Sequence, residues 1–273
     1  MVDPGPDKVA LADLFSATSS THDAAGGLFA HFGSLLVDRA TLSAGDQVLD
    51  VAAGIGAALV PAAQQVGPAG RVVGLDLAPG MVAKLRVVID ERGLVNAEAL
   101  VGDAERLPFE TQTFDVVLCG FGLFFFPDTR RALAEARRVL RSGGTLALST
   151  FTREGSDSMD RTWARIGAYM AVPVPAVRER RFDEPGHLLD ALAEASYVDI
   201  DVERSPFEVI LADVDAWLTW LRSMEFSEYL ARMSPDTLED FRRSAATDFS
   251  GQAGGSPEVR FRMDALLTIA RKP

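Results

Sequence analysis

Cysteine, histidine and long apolar runs are what this chain has least of. Its one cysteine, Cys119, excludes an intramolecular disulfide and suits a reducing compartment. Histidine occurs three times, at His22, His31 and His187, and no metal site is expected. No apolar stretch approaches the length of a membrane span, and the start, "MVDPGPDKVA", lacks a basic-then-apolar leader. The reading is a soluble cytoplasmic protein without a membrane span. Basic residues also fall short, 27 against 39 acidic ones, for a formal net charge of −12. Such a field repels phosphate backbones, so a nucleic-acid partner is not expected. The short run "RERR" at 178–181 contains Glu179 and reads as a solvated loop.

What is present is an ordinary apolar content, 48% of 273 residues, enough for a substantial core in one large or two small domains. From residue 46 to about 151, strand and helix patterns alternate, the signature of a parallel sheet with helices on both faces. Strands are expected at 48–51, 71–76, 97–103, 114–120 and 145–151. Between them come helices at 57–66, at 79–93 with Pro79 in its first turn, and at 128–141 with Asp128 as N-cap. Residues 8–40 read as helical. After the fifth strand an irregular insertion is expected over 153–183, then a helix at 185–196 and one strand at about 198–211. Val214, Trp217, Leu218 and Leu221 form a helical stripe, Ser234 and Pro235 open another helix, and the last strand is expected at 264–270.

The chemistry concentrates at the ends of the first three strands. "VLDVAAGIGA", residues 48–57, runs a buried strand carrying Asp50 into a turn with Gly54 and Gly56. Glycines at a strand-to-helix turn let the backbone approach a ligand, and such turns are where open α/β sheets bind them. Asp76 closes the second strand twenty residues after Gly56, the spacing at which a carboxylate reaches ribose hydroxyls. Asp103, followed by Ala104, closes the third and can meet an exocyclic amine. Together these point to an adenosine-bearing ligand. A dinucleotide fingerprint wants a third glycine where Leu59 stands, which disfavours NAD.

The segments "VLDVAAGIG", "VVGLDLAPGM", "VGDAERLPF", "FDVVLCGFGLFFFPD" and "RVLRSGGTLALSTF" occur in one order over residues 46–151. The chain thereby resembles the class I S-adenosylmethionine-dependent methyltransferases of the ubiquinone/menaquinone-biosynthesis-like kind, methyltransferase type 11. The resemblance implies a doubly wound, seven-stranded, mostly parallel Rossmann-like sheet in a single catalytic domain. A helical N-terminal cover (1–45) precedes a cofactor core (46–151), and residues 152–273 complete the sheet and add helical lid insertions. It implies S-adenosylmethionine as cofactor, with the backbone from Ala52 through Gly54 to Gly56 at the methionine end and Asp50 among the cofactor-binding residues. Asp76 falls to the ribose with Leu77 and Met81 nearby, Asp103 and Ala104 to the adenine, and Gly120 with Phe121 beside the sulfonium. Two departures stand out: Ala52, where glycine is commoner, and Ala78, where serine commonly caps the second helix, leaving Pro79 to start it unaided.

The expected acceptor is a hydrophobic or aromatic small molecule, with O-methylation ahead of C- or N-methylation, in specialised or quinone-like metabolism. Phe121, Phe124, Phe125 and Phe126 read as a pocket wall of which at least two belong to the core. Cys119 reads as a buried small hydrophobe, and His187 as exposed. His22 and His31 lie in "THDAAGGLFAHFG", which resembles the cover, and either could serve as a base. Two alternatives remain at this stage: a methyltransferase-fold protein that uses the cofactor without methyl transfer, as a cyclase or regulatory binder, and an NAD-dependent oxidoreductase. The oligomeric state stays open.

Overall fold

The computed structural model describes residues 6–19, 27–170, 182–224, 226–252 and 257–273. His22 and the "RERR" run lie outside them. The chain opens with helices α1 (Pro6–Thr18) and α2 (Leu28–Ala40). The alternating part follows: β1 (Gln47–Val51), α3 (Leu59–Val66), β2 (Arg71–Asp76), α4 (Pro79–Glu91), β3 (Ala97–Val101), β4 (Phe114–Gly120), α5 (Thr129–Val139) and β5 (Leu140–Phe151). The remainder comprises α6 (Arg153–Met170), α7 (Pro185–Glu194), β6 (Val198–Ser205), β7 (Glu208–Leu211), α8 (Val214–Arg222), α9 (Ser227–Ala231), α10 (Pro235–Gln252), β8 (Val259–Arg262) and β9 (Ala265–Arg271).

Seven strands form one sheet in the order β3-β2-β1-β4-β5-β9-β6, while β7 and β8 pair in a separate ribbon. Strands β1 to β5 are parallel, and β9 runs antiparallel between β5 and β6. The order reverses between β1 and β4. The turns leaving those two strands diverge to opposite faces and open a crevice at their C-terminal ends. The central strands are buried on both faces, as their nearly continuous Val and Leu runs require. One face is packed by Phe32 and Leu36 of α2, Leu59 of α3 and Leu85 of α4, and the other by Leu133 of α5 and Leu188 of α7.

Several expectations hold. Asp128 caps α5 by accepting the Arg131 amide at 3.0 Å, and Val214, Trp217, Leu218 and Leu221 are all buried. Two do not. The stretch read as irregular begins with an 18-residue helix, α6, whose Met159, Trp163, Ile166 and Met170 share one face. The single strand expected over 198–211 is two. Pro206 has no N–H to continue a ladder, so β6 ends there. β7 leaves the sheet to pair with β8, an element the sequence reading lacked.

The start of α4 also differs from expectation. Ala78 offers no side-chain cap, yet the helix is not unaided: Asp76 Oδ1 accepts the Ala78 amide at 2.9 Å, and Ser16 Oγ of α1 accepts the Gly80 amide at 3.1 Å. The capping hydroxyl therefore comes from the N-terminal segment. Gly80 permits the approach, since a Cβ there would stand 2.7 Å from Ser16 Cα. At its other end α1 is tied by Lys8, whose Nζ donates to Asp103 at 2.8 Å and to Glu105 at 2.6 Å. Burial works against the Lys8 charge, but the two carboxylates raise its pKa. Ser16→Ala should lower unfolding free energy by about 0.5–2 kcal/mol, the usual cost of losing an N-cap, and speed hydrogen exchange at the Gly80 amide. An unchanged denaturant midpoint and exchange rate would show that the cap contributes nothing.

Candidate active site

The crevice is the mouth of a cavity of about 1050 Å³. Pockets for one drug-sized ligand run from roughly 300 to 1000 Å³, so the space accommodates two small molecules side by side. It has two halves of different chemistry, both bounded by the turns leaving the parallel strands.

The first half is built on the turns after β1, β2 and β3. Gly54 and Gly56 have φ of +54° and +98°, left-handed backbone that lets the chain turn under the cavity floor. Ala52 takes the same sign, φ +56°, where glycine is commoner. Asp76 fixes the turn: its Oδ2 accepts the Gly54 amide at 2.8 Å while Oδ1 holds Ala78. Burial nevertheless keeps the Asp76 pKa above the ordinary carboxylate value, against those amide bonds. Asp103 accepts the Glu105 amide at 2.9 Å with Oδ1 and the Lys8 ammonium with Oδ2.

Of the residues assigned to cofactor contacts, Ala52, Gly54, Gly56, Asp76 and Leu77 line this cavity. So do Met81, Asp103, Ala104, Gly120 and Phe121. Asp50 stands behind the turn, 1% exposed, with Oδ2 lacking a hydrogen-bond partner. Burial, with Asp76 nearby, pushes its pKa up to about 8, opposed by the Leu59 amide. Leu59, in place of the third glycine, is fully buried, and Gly74 of β2 makes room for it: a Cβ there would meet Leu59 Cδ1 at 2.7 Å. Close helix-to-strand packing is thus achieved by a glycine on the neighbouring strand.

The second half is aromatic. Phe121 stacks on Phe151 with ring centroids 4.3 Å apart and meets Phe29 of α2 edge-on at 5.6 Å. Phe15 of α1 meets Phe125 edge-on at 5.1 Å. Trp163 and Tyr229 close the far side, edge to face at 5.1 Å. All four phenylalanines of "FGLFFFPD" line the cavity, and Phe121 alone of them is buried. Phe124 and Phe126, partly buried, pack against the core beside it, in line with the expectation that at least two of the four belong there, while the one-turn 3-10 helix over Leu123–Phe125 turns Leu123 inward. Cys119 is a buried free thiol with its pKa pushed up to about 12 by burial, inert as expected.

His31 is not brought to the cavity. It is exposed on α2 with its ring 4.6 Å from Phe207. The sequence reading missed Asp183, a buried carboxylate in the cavity wall, because nothing in "RRFDEPGH" separates it from an ordinary helix-leading aspartate. His187 of α7 is half exposed, its Nδ1 3.4 Å from Asp183 Oδ1.

The Asp50 environment yields a pH test. A folded-state pKa near 8 against about 3.9 unfolded means that the native state binds the extra proton between those values. Stability contributed by the neutral form is therefore lost as pH rises from about 4 through 8. Relative to wild type, Asp50→Asn should gain in denaturant midpoint over that window and flatten the pH dependence. Parallel curves for the two proteins would contradict the assignment.

Residues 48–144 match a family described as methyltransferase domain. Among curated relatives, nocamycin O-methyltransferase of Saccharothrix syringae is 30% identical over 274 residues, covering 95% of this chain and 98% of that protein. Aklanonic acid methyltransferase DauC of Streptomyces sp. (strain C5) is 40% identical over 144 residues, which cover 52% of this chain and 66% of that protein, just under two thirds. Among solved structures, the YcgJ protein of Bacillus subtilis superposes with a TM-score of 0.60 at 21% identity, covering 89% of this chain and 98% of that one, a likeness of fold.

Proposed function

The chain belongs to the class I S-adenosylmethionine-dependent methyltransferases, and from that premise we propose that it methylates a hydroxyl oxygen of an aromatic small molecule held in the phenylalanine-lined half of the cavity. The observation that carries the reading is the continuity of one cavity from the glycine turn and Asp76 to the aromatic chamber. Similarity over nearly the whole chain to a relative named as an O-methyltransferase supports the choice of oxygen.

The residues present fit the cofactor. Asp50 keeps an orphaned buried oxygen behind the 52–56 turn, and a Cβ at Gly120 would meet nothing closer than Ser149 Oγ at 3.7 Å, so the β4 end is open for close approach. In this reading Asp76 accepts hydrogen bonds from the ribose hydroxyls, and Asp103 with Ala104 faces the adenine. Leu77 and Met81 pack on the nucleoside, the 52–56 backbone receives the methionine end, and Gly120 and Phe121 border the sulfonium. When bound, S-adenosylmethionine supplies an electrophilic methyl group on a cationic sulfur. The chain's own task is then to align the acceptor and exclude water. Residues 1–45 act as cover, 46–151 as cofactor core and the helices within 152–273 as lid, in one catalytic domain. His22, in a segment that resembles the cover, is a candidate base.

Asp76→Ala should weaken S-adenosylmethionine binding by about 1.5–3 kcal/mol, the range for hydrogen bonds to a charged group. Calorimetry with equal affinity in wild type and variant would remove Asp76 from the ribose. Transfer of labelled methyl from S-adenosylmethionine to a panel of phenols tests the reaction itself. Binding of the cofactor with no transfer to any hydroxyl, carbon or nitrogen acceptor would favour a non-reactive role.

A further inference from the structure

Asp183 is the one chamber carboxylate that is both deeply buried and without a hydrogen-bond donor among the described residues. It is 7% exposed and lines the cavity, and neither Oδ1 nor Oδ2 accepts a hydrogen bond. Two side chains come near without directing an N–H at it: the Arg153 guanidinium, whose Nε stands 3.4 Å from Oδ2, and the His187 imidazole, whose Nδ1 stands 3.4 Å from Oδ1. Arg153 is half exposed and also pairs with Glu184 at 2.7 Å, so its charge is shared with a solvated partner. A buried carboxylate so poorly satisfied costs stability, and folded chains keep such groups where something else requires them.

Its main chain is held against the reacting end of the cavity. Thr150 Oγ1 of β5 donates to the Phe182 carbonyl at 2.8 Å, and the Arg153 amide donates to the Asp183 carbonyl at 3.2 Å. These bonds bracket Phe151, the residue stacked on Phe121. Phe182 itself has φ +73°, a left-handed backbone that a phenylalanine adopts only under constraint. Strain, burial and missing donors thus coincide at the residue that presents a carboxylate to the chamber.

Resting on the methyltransferase reading above, we infer that Asp183 recognises the acceptor through a neutral hydroxyl and removes its proton, and that His187 passes that proton to solvent. As the acceptor oxygen bonds the methyl carbon, Asp183 takes the hydroxyl proton, the O–H electron pair becomes the new O–C bond, and the pair of the broken C–S bond stays on sulfur. Asp183 then gives the proton to His187 Nδ1, and half-exposed His187 releases its Nε2 proton to water. The same geometry selects against a carboxylate acceptor. Asp160, Asp183 and Glu228 line the chamber, whereas the cavity's lining cations among the described residues are Lys8, engaged by Asp103 and Glu105, and Arg92 at the end of α4.

The test uses the full chain saturated with S-adenosylhomocysteine and three probes: 2-naphthol, 2-methoxynaphthalene and 2-naphthoate. Wild type should bind 2-naphthol at least about tenfold tighter than either other probe, and Asp183→Leu should abolish that preference. With a hydroxyl acceptor that wild type turns over, Asp183→Asn should lower kcat by roughly 10² to 10⁴ while leaving cofactor affinity unchanged, with partial recovery in Asp183→Glu. The melting temperature of Asp183→Asn should equal or exceed that of wild type, because an unsolvated charge has been removed; a structural role demands a fall. Absence of a 2-naphthol preference in wild type, whether from equal binding or from none, overturns the role of Asp183 and leaves the methyltransferase reading intact. Failure of S-adenosylhomocysteine itself to bind overturns both.

Discussion

The Asp76 carboxylate bridges two strand-to-helix turns, accepting the Gly54 amide after β1 and the Ala78 amide before α4. Both amides belong to turns at the sheet's C-terminal edge, where no strand or helix ladder satisfies them, and an unpaired buried N–H is costly. One side chain thereby fixes the relative position of the two turns that bound the cavity. It does so while burial raises its own pKa and that of Asp50 behind it. Two acids so close do not ionise together readily, and the proton that Asp50 keeps up to about pH 8 removes that repulsion.

Helix α1 is coupled to the same edge. Ser16 caps α4 one turn from Asp76, and Lys8 bridges Asp103 and Glu105 at the third strand's end. Helix α1 therefore bonds to two of the turns that line the cavity, and its Leu11, Leu14 and Phe15 form part of the cavity wall. Polar bonds at Lys8 and Ser16 and apolar contacts at Leu11, Leu14 and Phe15 thus hold the same short helix against the cavity, so its stability depends on both kinds of contact.

The alternating core was legible because physics leaves little choice there. Strands buried on both faces must be apolar throughout, as in Val72–Leu75 and Val116–Cys119, and Gly and Pro punctuate their ends. Asp50, Asp76 and Asp103 could be placed on one edge because they stand at or near the ends of three successive strands of a parallel sheet. Outside the core, long-range packing decided. The first turns of α6 carry Gly155, Ser156 and Ser158 and read as a poor helix. Yet Gly155 allows α6 to cross the start of β9, where a Cβ would stand 2.4 Å from the Asp264 carbonyl oxygen. The β7–β8 ribbon joins segments about fifty residues apart, and short-range pattern carries no information about that pairing. Asp183 was invisible for a related reason: its burial depends on β5, α6 and α7 converging, not on its neighbours in sequence.

Three residues other than glycine with left-handed backbone bear on the chamber: Ala52, Phe121 and Phe182, at φ of +56°, +51° and +73°. Each conformation costs on the order of 1–2 kcal/mol for a side-chain-bearing residue. Glycine at any of them would relieve the strain but remove what the side chain provides. Phe121 supplies the ring that packs on both Phe29 and Phe151, joining cover to sheet. Ala52 occupies the space beside Gly122, where a second Cβ would lie only 2.6 Å away, so alanine and glycine at these positions are complementary halves of one contact. Phe182 is buried on the sheet face packed by α5 and α7, and its backbone turn delivers Asp183 to the cavity. The strain is retained because relaxing it would move, in turn, the chamber floor, the aromatic stack and the buried carboxylate, which together set the volume and polarity an acceptor meets.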